Sequence, residues 1–313
     1  MNDIERLAVG LAAIGRPAYI NLGRTADLPA ERTVDAMRQS TWDVLDAAYA
    51  DQIRWVDTAR SYGRAEEFLG EWLAERGHED VTVSSKWGYT YVGDWRMDAP
   101  VHEVKEHSLE RFETQYGETR RILGEHLAVY QVHSLTADSP LFGDHPLQAA
   151  LAGLAADGVR VGFSTSGPRQ ADTVLKAFEL EVDGHRVFTA VQSTWNVLEP
   201  SAGEALRQAH DEAGALVMVK EPLANGRLAV QPPEEIRKMA DRHEVGADAV
   251  ALAAALSQAW ADKVLLGAAS SGQLRSNVAA LSLSLGEEQL NELATLATEP
   301  ERYWAERSAL PWM

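Results

Sequence analysis

The chain has 313 residues, no cysteine, and 29 Lys plus Arg against 47 Asp plus Glu, a formal charge of −18. That composition excludes disulfides, thiolate metal sites and a cysteine nucleophile, and it makes phosphate backbones and anionic membrane surfaces poor partners, so any anionic ligand must be held by a local set of N–H groups and cations. With 45% apolar residues, an amino terminus lacking the basic and apolar parts of a signal peptide and no run long enough for a membrane span, the expectation is a cytoplasmic globular protein.

Short apolar runs rich in β-branched residues recur along the chain. The first, RLAVGLAAIG (6–15), leads into a loop with Arg16. The second, IRWVDTA (53–59), ends a buried strand on Asp57 and is followed by Tyr62 at the mouth of a helix. In that helix Ala65, Phe68, Leu69, Trp72 and Leu73 fall at i, i+3, i+4, i+7 and i+8, one apolar face. The third run, VTVSSKWG (81–88), brings Lys86, and the loop after it is dense in aromatics, among them Trp87 and Tyr89. LAVYQVHS (127–134) delivers His133, VRVGFSTS (159–166) Ser164, and FTAVQSTWN (188–196) Gln192, Trp195 and Asn196. ALVMVKEP (215–222) ends on Lys220 and Glu221, and KVLLGAAS (263–270) opens a segment containing Gly267, Ala269, Ser270, Gln273 and Asn277.

These runs are often spaced by roughly 30 residues, as a repeated β-α unit requires. Gly77, Gly158 and Gly214 stand as helix stops just before the next strand. No Pro- or Ser-rich linker divides the chain. The expectation is therefore α/β, a single (β/α)8 TIM barrel over residues 1–313. A doubly wound sheet fits less well because no strand is followed by G-x-G-x-x-G. Longer loops after the third, fourth and seventh strands would lie at the C-terminal face, where barrel enzymes build their sites. The aromatics of the first of these loops, together with Tyr303, Trp304 and Trp312 in the tail, suggest a pocket for an apolar or sugar-like substrate.

Read at their carboxyl ends, the strands bring together Asp57, Lys86, His133, Ser164, Gln192, Lys220 and Glu221. No metal site is expected, since H-E-x-x-H is absent and the one histidine on a barrel strand has Lys86 for a neighbour. GFSTSG is no strained G-x-S-x-G elbow. A Schiff-base role for Lys86 or Lys220 is a rival, opposed at Lys86 if Asp57 pairs with it. The favoured alternative is proton transfer by a phenol. Tyrosine titrates near pH 10, so a cation at Lys86, held by Asp57, would stabilise the phenolate of Tyr62 while His133 orients the substrate oxygen. Such a site protonates a carbonyl and needs a hydride from a cofactor.

VDTARSYG, VSSKWG, YQVHS, VGFSTSG, VQSTWN, VKEPLANGRL and LLGAASSGQLRSNV together resemble the aldo-keto reductase family over nearly the whole chain. The resemblance implies reversible reduction of an aldehyde, ketone or sugar, with Asp57, Tyr62, Lys86 and His133 as the catalytic set. It also implies that Ser164, Gln192 and Asn196 bind the nicotinamide amide, that Trp195 stacks on the ring, and that Lys220, Leu223 and Gly226 follow the pyrophosphate. Gly267, Ala269, Ser270, Gln273 and Asn277 would take the adenosine end. There the neutral side chains are similar to the branch that includes the potassium-channel β subunits. NADP(H) is the favoured cofactor and NAD(H) the alternative, with Arg275 the one nearby cation. AAIGRPAYINLG departs from the common pattern, and Arg16 there could select a carboxylated or phosphorylated substrate. The partner is a small carbonyl or alcohol, and the oligomeric state is left open. A cofactor-sensing subunit and a Schiff-base lyase are the competing readings.

Overall fold

A computed structural model describes residues 3–312 of the chain. The first two residues and the last of the expected 1–313 unit lie outside the described residues. Eight parallel strands close into a barrel in chain order: β1 (Leu7–Gly10), β2 (Trp55–Asp57), β3 (Thr82–Trp87), β4 (Leu127–Leu135), β5 (Arg160–Thr165), β6 (Ala190–Thr194), β7 (Leu216–Lys220) and β8 (Lys263–Leu266), which pairs back onto β1. Each coincides with one of the eight apolar runs, β4 extending one residue past its run to Leu135.

Helices α1 (Val34–Ala50), α2 (Ala65–Arg76), α3 (Leu109–Leu123), α4 (His145–Gly153), α5 (Gln170–Phe178) and α6 (Gly203–Ala213) separate the first seven strands in turn. Between β7 and β8 lie α7 (Arg227–Val230), α8 (Glu234–His243) and α9 (Ala247–Leu256). The chain then runs through α10 (Ser271–Val278), α11 (Glu287–Ala294) and α12 (Pro300–Ser308). The apolar stripe expected on α2 is the face it buries. Gly77, Gly158 and Gly214 adopt left-handed φ of 65°, 73° and 62° at helix ends, a conformation that costs other residues a Cβ clash. Among the described residues no helix is long and apolar enough to cross a membrane.

Period-two alternation divides each strand between two environments. Outward residues such as Val83, Tyr130, Phe163, Val191 and Val217 enter the large apolar layer beneath the helices. Inside the barrel, Val129, Ala190 and Met218 form a small separate cluster with Trp55 and Leu216 packed against it. Above this plug the inward positions turn polar. Register sets Asp57 beside Ser84, Lys86 beside Gln131, and Ser164 beside Gln192. The long segment after β3 is more ordered than a loop: Tyr89–Tyr91 pairs antiparallel with Glu103–Lys105. Its β-branched and aromatic residues favour that pairing.

Candidate active site

Asp57 ends β2 inside the barrel and is 2% exposed. One carboxylate oxygen accepts hydrogen bonds from Ser84 Oγ at 2.8 Å, Gln192 Nε2 at 2.9 Å and Gln131 Nε2 at 3.3 Å. The other pairs with Lys86 Nζ, which also donates to the Thr58 carbonyl at 3.0 Å. A buried charge persists only when paired and hydrogen-bonded in this way. With its ammonium so engaged, Lys86 is a poor amine nucleophile.

Tyr62 follows on a sharp turn. Gly63 has φ of 64°, and a Cβ there would come 2.5 Å from the Gly15 carbonyl, while a Cβ on Gly15 would come 2.4 Å from Ala65 Cβ. These two glycines let the loop after β1 press onto the start of α2, which sets the Arg16 guanidinium 5.4 Å from the Tyr62 ring centre. The Lys86 ammonium lies 4.9 Å from the same ring. The His133 ring sits 5.6 Å away, nearly perpendicular, with Nδ1 3.3 Å from Ser61 Oγ.

The electrostatics of the phenol differ from the sequence expectation. Burial, then the Asp57 carboxylate, pushes Tyr62 well above its ordinary value, with Arg16 opposing. The Lys86 charge is paired with Asp57, so the phenol is neutral rather than drawn down toward neutrality. His133 is held well below 6.5 by burial first, then by Lys86, Arg16 and Lys220. Its imidazole is neutral at physiological pH.

Arg16, Asp57, Tyr62 and His133 line a cavity of about 500 Å³, while Lys86 lies beneath its wall. Its wall continues past Ser164, Gln192 and Lys220, along Leu223 and Gly226, to Gly267, Gln273 and Asn277. Ser164 Oγ accepts from the Ser134 N–H at 2.9 Å. Lys220 Nζ donates to Thr194 Oγ1 at 2.8 Å and lies 3.7 Å from Glu221. Burial brings Lys220 down to about 8, with Glu221 opposing. Burial works to raise Glu221, yet Arg307 and Lys220 outweigh it and hold the carboxyl below its usual range. Arg16 and Tyr19, both from the AAIGRPAYINLG segment, line the cavity, with the Arg16 guanidinium also 4.9 Å from the Tyr19 ring centre. Arg16 donates to Glu103 at 2.8 Å and to the Ser61 carbonyl at 3.1 Å.

A groove of this shape fits an elongated dinucleotide on three counts. Gly226, at φ 86°, lets its backbone approach the Leu22 carbonyl where a Cβ would come within 2.3 Å. A Cβ on Gly267 would meet nothing within 4 Å, so its backbone opens to the cavity. The side-chain oxygens of Asn21 and Asn225, at the wall, are buried without a partner among the described residues. Among those residues no group of three or more His, Asp or Glu is arranged to hold a metal ion.

A sequence profile described as the Aldo/keto reductase family matches residues 25–298. The chain belongs to that family. Membership makes it an oxidoreductase of the carbonyl–alcohol couple and implies a nicotinamide cofactor. This aldo/keto reductase is 24% identical to "Aldo-keto reductase str7" of Strobilurus tenacellus over 96% of its own length and 90% of that protein's. In fold it is similar to the glycerol dehydrogenase AKR11B4 from Gluconobacter oxydans, with TM-score 0.70 and 20% identity over 93% of this chain and 90% of that one. It is also similar to a putative 2,5-diketo-D-gluconic acid reductase B, with TM-score 0.65 and 21% identity over 95% and 89%.

Several expected wall residues of the aldo/keto reductase site lie elsewhere. Trp87 follows the inward Lys86 and so points outward, fully buried against Phe112 at 5.2 Å and His107 at 5.8 Å. Trp195 follows the inward Thr194 and packs edge-on against Trp260 at 6.0 Å, off the cavity wall. Asn196 ties down a loop: its Nδ2 donates to the Glu221 carbonyl at 3.0 Å and to the Tyr303 hydroxyl oxygen at 2.9 Å, and its Oδ1 accepts from the Leu198 and Glu199 N–H groups. Ala269 is buried with its N–H on Gln273 Oε1 at 2.8 Å, and Ser270 caps α10. Tyr89 lines the cavity, edge-on to the His133 ring at 5.0 Å.

Other wall residues escaped the sequence reading. Glu103 reaches the site only because the Tyr89–Tyr91 strand folds back on it, and nothing in its local sequence signals that. Arg307 lies in the aromatic tail, three residues after Trp304, and donates to both Glu221 oxygens. Of the three tail aromatics that the sequence pointed to, Trp312 does line the cavity, lying over the Arg16 guanidinium at 5.0 Å and stacking on His102 at 4.3 Å.

Proposed function

We propose that the chain interconverts a small hydroxylated carbonyl compound and its alcohol with NAD(P)(H), Tyr62 serving as general acid in reduction and general base in oxidation. The observation that carries the reading is the placement of the neutral Tyr62 hydroxyl and neutral His133 at one cavity end, above the buried Asp57–Lys86 pair. When bound, the cofactor supplies the hydride.

Tyr62 gives its proton to the substrate oxygen, and His133 orients that oxygen by hydrogen bonding. As the phenol loses its proton, the Lys86 ammonium 4.9 Å from the ring is placed to meet the developing charge. Gln192, steered by Asp57, and Ser164 would hold the nicotinamide amide. Lys220 and the Leu223–Gly226 turn would follow the diphosphate, and Gln273 and Asn277 the adenosine. Tyr19, Tyr89 and Trp312 screen the reacting end from water. Arg16 beside Tyr62 is already paired with Glu103. That pair offers a donor and an acceptor together, which suits hydroxyl groups better than a carboxylate.

The test is Tyr62→Phe. Turnover of a good substrate should fall roughly 10²- to 10⁴-fold, while NADH or NADPH binding, followed by dinucleotide fluorescence, persists. A variant turning over at the wild-type rate would refute the assignment.

A further inference from the structure

We propose that Asp27 makes this enzyme select NAD(H) over NADP(H), by setting a carboxylate where the 2′-phosphate would have to bind. The inference rests on the nicotinamide reading above.

The hydride must reach the carbonyl that Tyr62 protonates, so the nicotinamide belongs at the Tyr62 end. The rest of an elongated dinucleotide then runs past Gly226 toward the start of α10, where Gln273, Ser276 and Asn277 form the wall. Charge is distributed unevenly between the two ends. The cations on the wall, Arg16, Lys220 and Arg307, surround Tyr62 and Glu221. At the far end, among the described residues, no lysine or arginine lines the cavity, and Asp248 does. Its carboxylate accepts from Ser276 Oγ at 3.0 Å and Asn277 Nδ2 at 2.6 Å.

Asp27, just outside the wall itself, adds a second carboxylate against the wall residue Gln273. It comes from the loop between β1 and α1, not from the barrel end itself. Asp27 Oδ1 accepts from Ser270 Oγ at 3.0 Å, and Oδ2 accepts from Gln273 Nε2 at 2.7 Å. These are neutral side-chain donors that a ribose phosphate could otherwise use, and both are taken by an anion. The loop is tethered there. Leu22 N–H donates to the Asn225 carbonyl at 2.9 Å, Asn225 Nδ2 donates to the Ile20 carbonyl at 3.0 Å, and Gln273 Nε2 also reaches the Gly23 carbonyl at 3.3 Å.

A 2′-phosphate brought to this rim meets a carboxylate held by Ser270 and Gln273, and Arg275, the cation nearest in sequence, does not line the cavity among the described residues. A ribose with free 2′- and 3′-hydroxyls instead brings donors that a carboxylate accepts. The neutral α10 side chains, which from sequence favour NADP(H), therefore act in this fold as the anchors of an acid that disfavours it.

The purified protein is titrated with NADH and with NADPH, by calorimetry and by dinucleotide fluorescence, together with Asp27→Asn, a surface change whose folding is checked by its melting temperature. Wild type should bind NADH about 10-fold or more tightly than NADPH, an effect sized for one like-charge contact at a solvent-facing rim. Asp27→Asn should lower that preference by about 10-fold, and raising salt from about 0.02 M to about 0.3 M should shrink it in wild type but not in the variant. Equal or tighter NADPH binding by wild type, or an unchanged preference in the variant, overturns the proposal. Binding of neither dinucleotide overturns the function reading and this inference with it.

Discussion

Replacing the two members of the buried Asp57–Lys86 pair, singly and together, tests whether the barrel interior is organised around one charge-neutral unit. Both residues are nearly inaccessible, at 2% and 1% exposure. In Lys86→Met the carboxylate keeps Ser84, Gln131 and Gln192 as neutral donors, so the loss should fall near the lower end of the ~3–5 kcal/mol for breaking a buried pair. In Asp57→Asn the ammonium keeps only an amide oxygen and the Thr58 carbonyl, which places the loss near the upper end of ~3–5 kcal/mol. The double variant buries neither charge, and its cost should be smaller than the sum of the two by about 1–3 kcal/mol. Urea unfolding followed by far-ultraviolet circular dichroism measures all four corners. If Asp57→Asn fails to fold while the double variant folds, the same coupling is seen directly. Costs that add to within about 0.5 kcal/mol would refute the view that the two charges act as one unit.

Acid should weaken the fold through its buried histidines. Burial, then Lys105, holds His107 down to about 4, and His133 also lies well below 6.5. The unfolded chain therefore takes up protons below pH 6.5 that the folded chain refuses, and stability falls as pH drops. For His107 alone the loss at pH 5 is about 2 kcal/mol, so His107→Gln should narrow the gap between urea midpoints at pH 7.5 and pH 5.0, and an unchanged gap would count against the buried neutral ring. Lys220, at about 8, sheds its charge as pH rises through that value. Dinucleotide titrations from pH 6.5 to 9.5 should show affinity falling above pH 8 in wild type and a flatter profile in Lys220→Met, and equal slopes would remove Lys220 from the diphosphate path.

Period-two alternation explains both what the sequence conveyed and where it misled. Asp57, Lys86, His133, Ser164, Gln192 and Lys220 are reached by inward parity from strands whose register is fixed by the closed sheet. Their inward placement could be read because parity along each strand and a polar residue at its carboxyl end point the same way. Trp87 and Trp195 failed for the same reason in reverse: each is one step beyond an inward residue, so the pleat turns it to the helix layer. Counting aromatics near a strand end, without counting parity, assigns them to the wrong side.

Residues that depend on the chain returning from a distance carried no such signal. Glu103 needs the hairpin after β3, Arg307 needs α12 to lie across the end of β7, and Asp27 needs a loop that crosses from β1 to α10. These three acids and bases also decide which charges each end of the cavity presents. In a chain of net charge −18, the cations lining the cavity lie near Tyr62 and Glu221, while Asp248 lines the wall by α10 and Asp27 accepts from Gln273 beside it. On the proposed reading the barrel would place proton transfer at Tyr62, and the loops would bear on which dinucleotide lies along the wall. That division is why the reaction class could be read from strand ends, while the NAD(H) preference proposed above rests on the positions of the loops.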